Sequence, residues 1–508
     1  MSPQEDVPPS PDVSHLLPRQ CILLEMPADI LMHVLRFLKP LDIVSLRLTT
    51  KKLVDLTFSR SVWLTALRTV IDDNGLFPPT FPLHKMSIEE LENAALGPQK
   101  FSRLIRQPPS GDFVGLEAVS RRSVLVRDPN DPTAEVESIR LLPGGRFLIV
   151  ETNAAVLFMD LGWRVDGLLS SRPFYRLRKA TVSGLQTPAW VHVDHLTWGN
   201  CPGDLRLFFS VDSDNMSERG AQVIVCDVFN LDGAPKGEVI ARLALPTGVP
   251  QRIRVADSEG DRVLLHLGSL TSVWDLNKNE IVSFSNSQQL WHLSVLVNDS
   301  VISYDQSLDS LNVYNVPRLG PMTPLMISSN PPAIALRPLN NYDASTVFHR
   351  DGQHCFFDIE GNGGIFVRYS VDRLPPNVSK ARTMPFVAAR YDLTAHFTAP
   401  SSRHNVLPAL RLCDDGIVTT VMDVAEIPPD GADDDADGII LAHIANRGWE
   451  DGDEEFQSAT VLMHSGDPAW RLWDSFEMDP TSGRLCVMVG LYLCVHDHIA
   501  PSRSTRQQ

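Results

Sequence analysis

The stretch that decides the fold is residues 26–67, MPADILMHVLRFLKPLDIVSLRLTTKKLVDLTFSRSVWLTAL. Apolar residues recur in it at intervals of three and four, the spacing that places side chains on one face of an α-helix. Pro27 suits a first helical position, because its missing N–H costs nothing there. We expect Pro40 to end the first helix and Asp42 to lie in the first turn of the second, where a negative charge suits the helix dipole. A third short helix is predicted at 61–70.

Three short helices within about 45 residues make only a small core, and a unit of that size is marginal by itself. Their apolar stripes carry more large aliphatic side chains than three short helices can hide from one another. An exposed apolar patch on a soluble chain usually marks a protein interface. The alternative is a plain three-helix subdomain that packs onto the rest of the chain.

The run resembles an F-box. Members of that family open with a Leu-Pro pair and an aliphatic helix, continue through a Pro-x-Asp turn and a Leu-x-Leu step, and close with Ser-x-Trp. The matching features here are, in order, Met26-Pro27, Ile30 to Leu38, Pro40-Leu41-Asp42, Leu46-Arg47-Leu48, Thr50-Lys51-Lys52 and Ser61-Val62-Trp63. Two positions depart from the pattern: Met26 replaces the usual Leu, a mild change in volume and branching, and Leu53 replaces a common aromatic residue.

The resemblance implies binding to the Skp-type adaptor of an SCF-type cullin–RING ubiquitin ligase, and through the adaptor to a cullin. Carried over position by position, the adaptor-binding surface would comprise Met26, Pro27, Ile30, Leu31, Val34, Leu35, Leu38, Leu41, Ile43, Val44, Leu46, Leu48 and Trp63. Some of these side chains must hold the module together instead of touching the adaptor. Charged residues in place of Leu35 and Leu38 are expected to abolish adaptor binding while the propeller stays folded.

Beyond residue 110 the chain repeats one sequence pattern: a polar turn, a short β run, a polar break and a second β run that often ends in Asp. Seven turn residues mark the copies, with those at 204 and 416 weaker: Gly145, Asp204, Asp261, Asp299, Gly352, Gly416 and Gly483. Seven hairpin-like repeats predict a β-propeller, in which each four-stranded blade packs against the next. This sequence pattern is loosely similar to that of WD-repeat propellers, with Trp-Asp at 274–275 and 473–474 but no Gly-His opening. The alternative is a pair of β-sandwiches.

The predicted fold class is therefore multidomain, α plus all-β: a short three-helix F-box, a helical linker and a β-propeller of about seven blades. The predicted boundaries are a disordered tail at 1–19, the F-box at 20–70, the helical linker at 71–110, and the propeller-like domain at 111–500 with an acidic insertion at 427–456. The tail assignment rests on its many prolines and few apolar residues.

Charge and cysteine content narrow the function class. The formal net charge is −17, and so negative a surface repels phosphate backbones and anionic membranes. We therefore expect neither nucleic acid nor a membrane as partner. The seven cysteines form no C-x-x-C pair, and the first twenty residues contain no apolar signal region. Both observations predict reduced thiols and a location in the cytoplasm, the nucleus or both.

One acidic run resembles a calcium-binding loop. Asp433, Asp435, Asp437 and Gly438 match the start of an EF-hand, but the twelfth position is Ile444, where a bidentate Glu is needed. A solvated acidic loop is the preferred interpretation.

Two histidine groups could be argued as metal ligands. His192 and His195 stand three residues apart, and His496 and His498 flank one aspartate. Two histidines are only half a site, so we interpret them as surface or strand-edge residues. We expect no metal and no cofactor. The sequence also lacks the phosphate-binding and nucleophile motifs that would identify catalytic residues.

The combined expectation is a non-catalytic substrate-recognition subunit of a ubiquitin ligase, with the propeller holding an unknown protein substrate. The pairing of F-box and repeat domain supports this by analogy only. Two alternatives stay open. One is an F-box-containing scaffold outside a full ligase. The other is a propeller enzyme with an N-terminal helical cap, which needs acids and histidines that converge in the central channel.

Overall fold

The computed structural model describes most of the helical N-terminus and all or part of every later repeat. The described residues are 22–106, 116–184, 191–199, 201, 203–211, 221–231, 233–245, 253–268, 270–285, 293–305, 310–317, 319–321, 327–328, 334–336, 342–343, 348–350, 354–361, 365–372, 385–392, 405–406, 411–413, 416–424, 438–446, 458–465 and 473–500. The predicted tail at 1–19 lies outside them.

The N-terminal part is helical, and we call residues 22–106 the helical module. Its elements are α1 (Ile22–Glu25), α2 (Ala28–Leu35), α3 (Pro40–Arg47), α4 (Lys51–Thr57), α5 (Arg60–Asp73), a short 3-10 helix (Pro78–Thr80), α6 (Ile88–Ala95) and α7 (Gly97–Arg106).

The helix boundaries correct the sequence-based expectation of three helices before residue 71. Pro27, predicted to be the first helical residue, is instead the N-cap of α2, which begins at Ala28. Pro40 begins α3 instead of ending α2, as its fixed φ and missing N–H favour. The predicted second helix is split because the Thr50 side chain accepts a hydrogen bond from the Leu53 N–H and so caps a separate helix, α4.

The regular structure in the rest of the described chain is β, apart from one short helix, α8 (Lys179–Ser183). Its strand pairs are antiparallel except for β13 with β18, which is parallel. In chain order the strands are β1 (Ser120–Leu125), β2 (Val136–Leu141), β3 (Phe147–Thr152), β4 (Ala155–Asp160), β5 (Tyr175–Arg178), β6 (Val191–Trp198), β7 (Leu205–Val211), β8 (Gln222–Phe229), β9 (Lys236–Ala244), β10 (Ile253–Glu259), β11 (Arg262–Leu267), β12 (Leu270–Asp275), β13 (Glu280–Ser285), β14 (Leu293–Val297), β15 (Ser300–Asp305), β16 (Ser310–Asn315), β17 (Gly320–Pro321), β18 (Ile327–Ser328), β19 (Ile334–Leu336), β20 (Tyr342–Asp343), β21 (Phe348–Arg350), β22 (His354–Gly361), β23 (Ile365–Asp372), β24 (Phe386–Asp392), β25 (Asn405–Val406), β26 (Arg411–Cys413), β27 (Gly416–Val424), β28 (Gly438–Asn446), β29 (Ser458–Ser465), β30 (Trp473–Asp479), β31 (Arg484–Val489) and β32 (Tyr492–Asp497).

These strands form seven sheets in the described part of the chain. Sheet 1 is β2–β5, sheet 2 is β6–β9, sheet 3 is β10–β13 with β17 and β18, sheet 4 is β14–β16 with β19, sheet 5 is β20–β24, sheet 6 is β25–β29, and sheet 7 is β30–β32 with β1. The first strand of the domain thus completes the last sheet, with Ser120 opposite Asp497 and Leu125 opposite Tyr492. The first strands of neighbouring sheets also contact one another, β30 with β2, β6 with β10, and β10 with β14. This order is that of a seven-bladed propeller and not of two sandwiches.

Six of the seven predicted turn markers lie within the described residues, one to a sheet, each at the start of the strand that follows the first hairpin turn. Gly145 precedes β3, Asp204 precedes β7, Asp261 precedes β11, Asp299 precedes β15, Gly416 opens β27 and Gly483 precedes β31. Gly352 lies outside the described residues, before β22. At Gly145 the backbone has φ +78°, a left-handed conformation that favours glycine. We call the end of each sheet that carries this turn its marker end.

Neighbouring sheets are joined by carboxylates that accept a backbone N–H from the next sheet. The donors are Val193 to Glu151 at 2.9 Å, Val255 to Asp194 at 2.9 Å and Leu296 to Asp257 at 2.8 Å. Burial raises the pKa of Asp194 to about 6, although the hydrogen bonds from Val255 and Ser210 act in the opposite direction.

Two sequence-based interpretations are wrong in this region. Strand β28 lies inside the predicted acidic insertion, so residues 427–456 are not one continuous loop, and the apolar run GIILAHIA accounts for the strand. Ile444 belongs to this extended strand, whereas an EF-hand would need it to fold back on an ion. His496 and His498, interpreted as surface or strand-edge residues, are not on the surface: His496 lies in β32 of the packed sheet 7, His498 directly follows that strand, and both are buried.

The described cysteines, Cys201, Cys226, Cys486 and Cys494, are free thiols. Within the described part of the chain, no helix has both the length and the apolar character to cross a membrane.

Candidate protein-binding site on the helical module

Exposed large apolar side chains concentrate in one short stretch of the helical module. Of the eleven such residues in the described chain, five lie between positions 30 and 58. They are Ile30 (46% exposed), Val34 (38%), Phe37 (76%), Leu48 (84%) and Phe58 (49%). We call these five the exposed apolar set. Ile30 and Val34 stand one turn apart on the same face of α2.

The structure divides the thirteen residues predicted to bind the adaptor by their burial. Pro27, Ile30, Val34 and Leu48 are exposed; Met26, Leu38, Leu41, Val44 and Leu46 are half-buried; Leu31, Leu35, Ile43 and Trp63 are buried. The buried four support the fold of the module. A charge at Leu35 is therefore expected to unfold the module itself, so in such a variant the loss of adaptor binding would follow from the loss of the module's fold.

Two exposed residues, Phe37 and Phe58, were missed by the sequence reasoning. The ring of Phe37 meets the edge of the His33 ring, with centroids 5.1 Å apart. Phe37 follows Val34 by three residues, so helical spacing could have identified it. Phe58 follows the end of α4, where no periodic pattern predicts exposure.

The module has one core that includes the linker helix. Leu35, Ile43 and Trp63 pack in the same cluster as Leu91 and Ala95 of α6. The linker helix is therefore part of the fold that presents the exposed apolar set.

Arg47 connects the exposed surface to this core. Its guanidinium donates two hydrogen bonds to the Glu92 carboxylate, at 2.9 and 2.8 Å, and one to Thr57 Oγ1 at 3.1 Å. It also lies over the rings of Phe58, at 4.8 Å, and Trp63, at 5.5 Å. The buried Trp63 indole donates to the Thr57 carbonyl at 2.8 Å. These contacts fix α3 against α6.

Residues 77–80, which we call the wedge, carry the helical module into the propeller. Phe77 is fully buried in the hydrophobic cluster of sheets 1 and 2 and stacks on Trp198, with centroids 5.0 Å apart. The Phe77 N–H and the Thr80 hydroxyl both donate to the Pro143 carbonyl, at 3.0 and 3.1 Å. Arg146 donates to the Pro79 carbonyl at 2.8 Å.

The helical module lies at the marker ends of the sheets. The wedge contacts the turn before β3, and Gly97 at the start of α7 lies against the turn before β31. A Cβ on Gly97 would come within 2.3 Å of the Thr481 carbonyl oxygen, so only glycine permits this approach. The opposite ends of the sheets, where the first strands begin, face away from these contacts.

One acid–histidine group lies among the first blades. Glu137, Glu151 and His192 could together hold a metal ion. However, the buried Lys179 ammonium already bridges the two carboxylates, at 2.7 Å from Glu137 and 2.9 Å from Glu151. The lysine supplies the positive charge that a metal would bring. His195 packs against the ring of Phe208.

Comparison with known protein families gives one match, which lies in the helical module. Residues 23–65 match the F-box domain family. No curated protein matches the chain. Solved structures that are similar to this chain include the following two. One is the WD40 domain of SCAP from fission yeast, at 9% identity over 72% of this chain and 85% of that chain, with TM-score 0.32. The other is Sqt1 from Chaetomium thermophilum, at 11% identity over 76% and 100%, with TM-score 0.37. We base the propeller assignment on the sheet order alone.

Proposed function

Because an F-box domain precedes a seven-bladed propeller, we propose that this chain is the substrate-recognition subunit of an SCF-type cullin–RING ubiquitin ligase. The F-box docks the Skp-type adaptor, and the propeller holds a protein substrate. F-box domains generally bind such adaptors, so a protein partner follows from the family match. The chain works in the cytoplasm, the nucleus or both.

The observation that carries the proposal is the exposed apolar set. Five large apolar side chains are exposed to solvent in one stretch of 29 residues, 30–58, which lies inside the domain that matches the F-box family. Leaving them exposed costs hydrophobic free energy, on the order of 1.5–3 kcal/mol for a side chain that a partner could bury fully. Apolar anchors of this kind dominate the energetics of protein interfaces.

Charge adds a second constraint on the partner. Residues 22–60 contain six lysines and arginines and four acids, a balance of +2 in a chain of net charge −17. The surface that covers the exposed apolar set is therefore expected to be acidic at its rim. Such a pairing steers association and weakens as salt is added.

The position of the helical module explains how substrate would be presented. The module occupies the marker ends of the sheets, so the ends where the first strands begin are available to substrate. The wedge and the Arg47–Glu92 pair hold adaptor surface and propeller in one arrangement. A receptor of this design raises the local concentration of substrate lysines near the conjugating enzyme and needs no catalytic residue of its own.

Reconstitution tests the proposal. The purified chain is mixed with a Skp-type adaptor, a cullin–RING core, conjugating enzyme and ubiquitin. Co-elution of chain, adaptor and cullin, with ubiquitin transferred to lysines of the chain or of a bound protein, supports a ligase receptor. Binding to the adaptor alone, with the cullin excluded, would instead establish a scaffold outside a full ligase.

A further inference from the structure

A cavity of about 340 Å³ lies where the helical module meets the propeller. One wall is α6 with the start of α7, the second is formed by the marker-end turns of sheets 1 and 7, and the third is the loop between β4 and β5. Gly97, pressed against the Thr481 carbonyl, closes the end between α7 and sheet 7. Cavities of this size at the junction of two units are common sites for small molecules.

Much of the cavity wall is apolar. The side chains that form this part of the lining are Phe81, Met86, Ala94, Trp163, Val165 and Ile499. The polar groups contributed by sheet 7 already have partners: Arg484 donates to Asp497 at 2.6 Å, and the hydroxyls of Thr481 and Ser482 donate to Asp479. A ligand body placed here gains apolar burial and is not required to satisfy those groups.

The charges that line the cavity favour a cation. Four carboxylates and two guanidinium groups line it. Glu90 pairs with Arg164 at 2.6 Å, and Asp166 also interacts electrostatically with Arg164, so two carboxylates share one guanidinium. Of the four carboxylates, those of Glu89 on α6 and Asp166 on the loop are exposed. They belong to different walls, so a charge between them would meet both.

We propose that this cavity binds a small organic cation with an apolar body, such as an amine carried on an aromatic ring. The ring lies among Phe81, Met86 and Ile499, and the ammonium lies between Glu89 and Asp166. An anion would meet an excess of negative charge, and a neutral molecule would gain only the apolar contact. Because the ligand touches α6 and the propeller together, it stabilises their contact by linkage.

The test uses the full chain and three probes of similar shape: phenethylamine, phenethyl alcohol and phenylacetate, at constant ionic strength. Ligand-observed NMR gives the affinity, and the thermal midpoint gives the linked stabilisation. Phenethylamine is expected to bind and raise the midpoint, with the alcohol weaker and phenylacetate weakest. Equal binding of the three probes, or no binding of phenethylamine, overturns the proposal.

Variants assign any binding to this cavity. Glu89→Gln and Asp166→Asn should each weaken phenethylamine about two- to fivefold, the range for an exposed ion pair. Arg164→Ala should strengthen it, because a positive charge is removed and Glu90 loses its ion pair. Ala94→Leu should fill the cavity and block binding.

The two isosteric variants sit at exposed positions and keep the fold, so the test is decisive even if Ala94→Leu disturbs α6. Unchanged affinity in both isosteric variants, or weaker binding in an Arg164→Ala chain whose thermal midpoint equals that of wild type, contradicts the proposal. None of these results depends on the adaptor, so they are independent of the proposed ligase function.

Discussion

Arg47 on α3 and Glu92 on α6 form a two-point ion pair, with Nη1–Oε1 2.9 Å and Nη2–Oε2 2.8 Å. Arg47 stands next to Leu48, the most exposed member of the exposed apolar set, while α6 is attached to the propeller through the pair of Glu90 with Arg164. The orientation of the proposed adaptor surface relative to the propeller is therefore set by specific side-chain contacts.

Replacing Arg47 with Ala should lower the free energy of unfolding by about 1–3 kcal/mol, because it removes both hydrogen bonds of the ion pair with a mostly buried Glu92. Arg47→Lys keeps the positive charge but loses the two-point guanidinium–carboxylate hydrogen bonding. Its free energy of unfolding should therefore lie between those of wild type and Arg47→Ala. Urea unfolding of wild type and the two variants measures the two losses of stability. Equal stability of Arg47→Ala and wild type would show that the pair is not stabilising.

Phe77→Ala should destabilise the propeller by about 3–5 kcal/mol, because a fully buried ring is removed from the cluster of sheets 1 and 2. Hydrogen exchange should report the loss in β3 and β7, far along the chain from residue 77. Phe37→Ala is the matched control, since that ring is 76% exposed and its loss should change stability by less than about 0.5 kcal/mol. If hydrogen exchange became faster only in the helical module, the claim that Phe77 stabilises the propeller would be contradicted.

The exposed apolar set and the wedge show where sequence reasoning stops. In the F-box and the seven repeats, local residues mark where elements begin and end. They are prolines before helices, and turn residues such as Gly145 that a left-handed backbone requires. Burial does not follow from such local patterns. Val34 and Leu35 are adjacent apolar residues of one helix, and only the packing of α2 on the module core makes one exposed and the other buried.

The wedge was missed for a related reason. Residues 77–80 form a single short turn whose partners, such as Pro143, lie more than sixty positions away in the sequence. The split of the predicted second helix at Thr50 depends on one side-chain cap, which the apolar period alone does not show.

Acid should destabilise the propeller in part through His266. Burial, followed by the nearby Arg254, lowers the pKa of His266 to about 4, below its ordinary value of 6.5. The unfolded chain therefore takes up a proton at this residue first as the pH falls, so stability is full above 6.5 and is lost between 6.5 and about 4. The loss at pH 5 is on the order of 2 kcal/mol.

Asp194 acts in the opposite sense, because its raised folded pKa favours the folded state as the pH falls from 6 towards 4. The histidine contribution must therefore be read from a variant. His266→Gln should lose less stability between pH 7 and pH 5 than wild type, as measured by urea unfolding at each pH, whereas the exposed His84→Gln should behave as wild type. Identical pH profiles for wild type and His266→Gln would refute the assignment.

A charge on the α2 surface separates binding from folding. Val34→Glu adds a charge at an exposed position and should leave the thermal midpoint close to that of wild type, whereas Leu35→Glu buries a charge and should unfold the helical module. Circular dichroism and thermal unfolding compare the two neighbours. If both variants lost helical signal and thermal stability equally, Val34 would also be part of the core.

The most direct test of the central claim is the affinity of the purified chain for a Skp-type adaptor, measured by calorimetry for wild type, Ile30→Glu, Val34→Glu and Leu168→Glu. Leu168 is fully exposed in the propeller loop between β4 and β5 and serves as the control. The account predicts tight binding by wild type and Leu168→Glu, with a loss of at least about tenfold in each F-box variant while both stay folded. Undiminished binding by the F-box variants, or no binding by a folded wild-type chain, would contradict it.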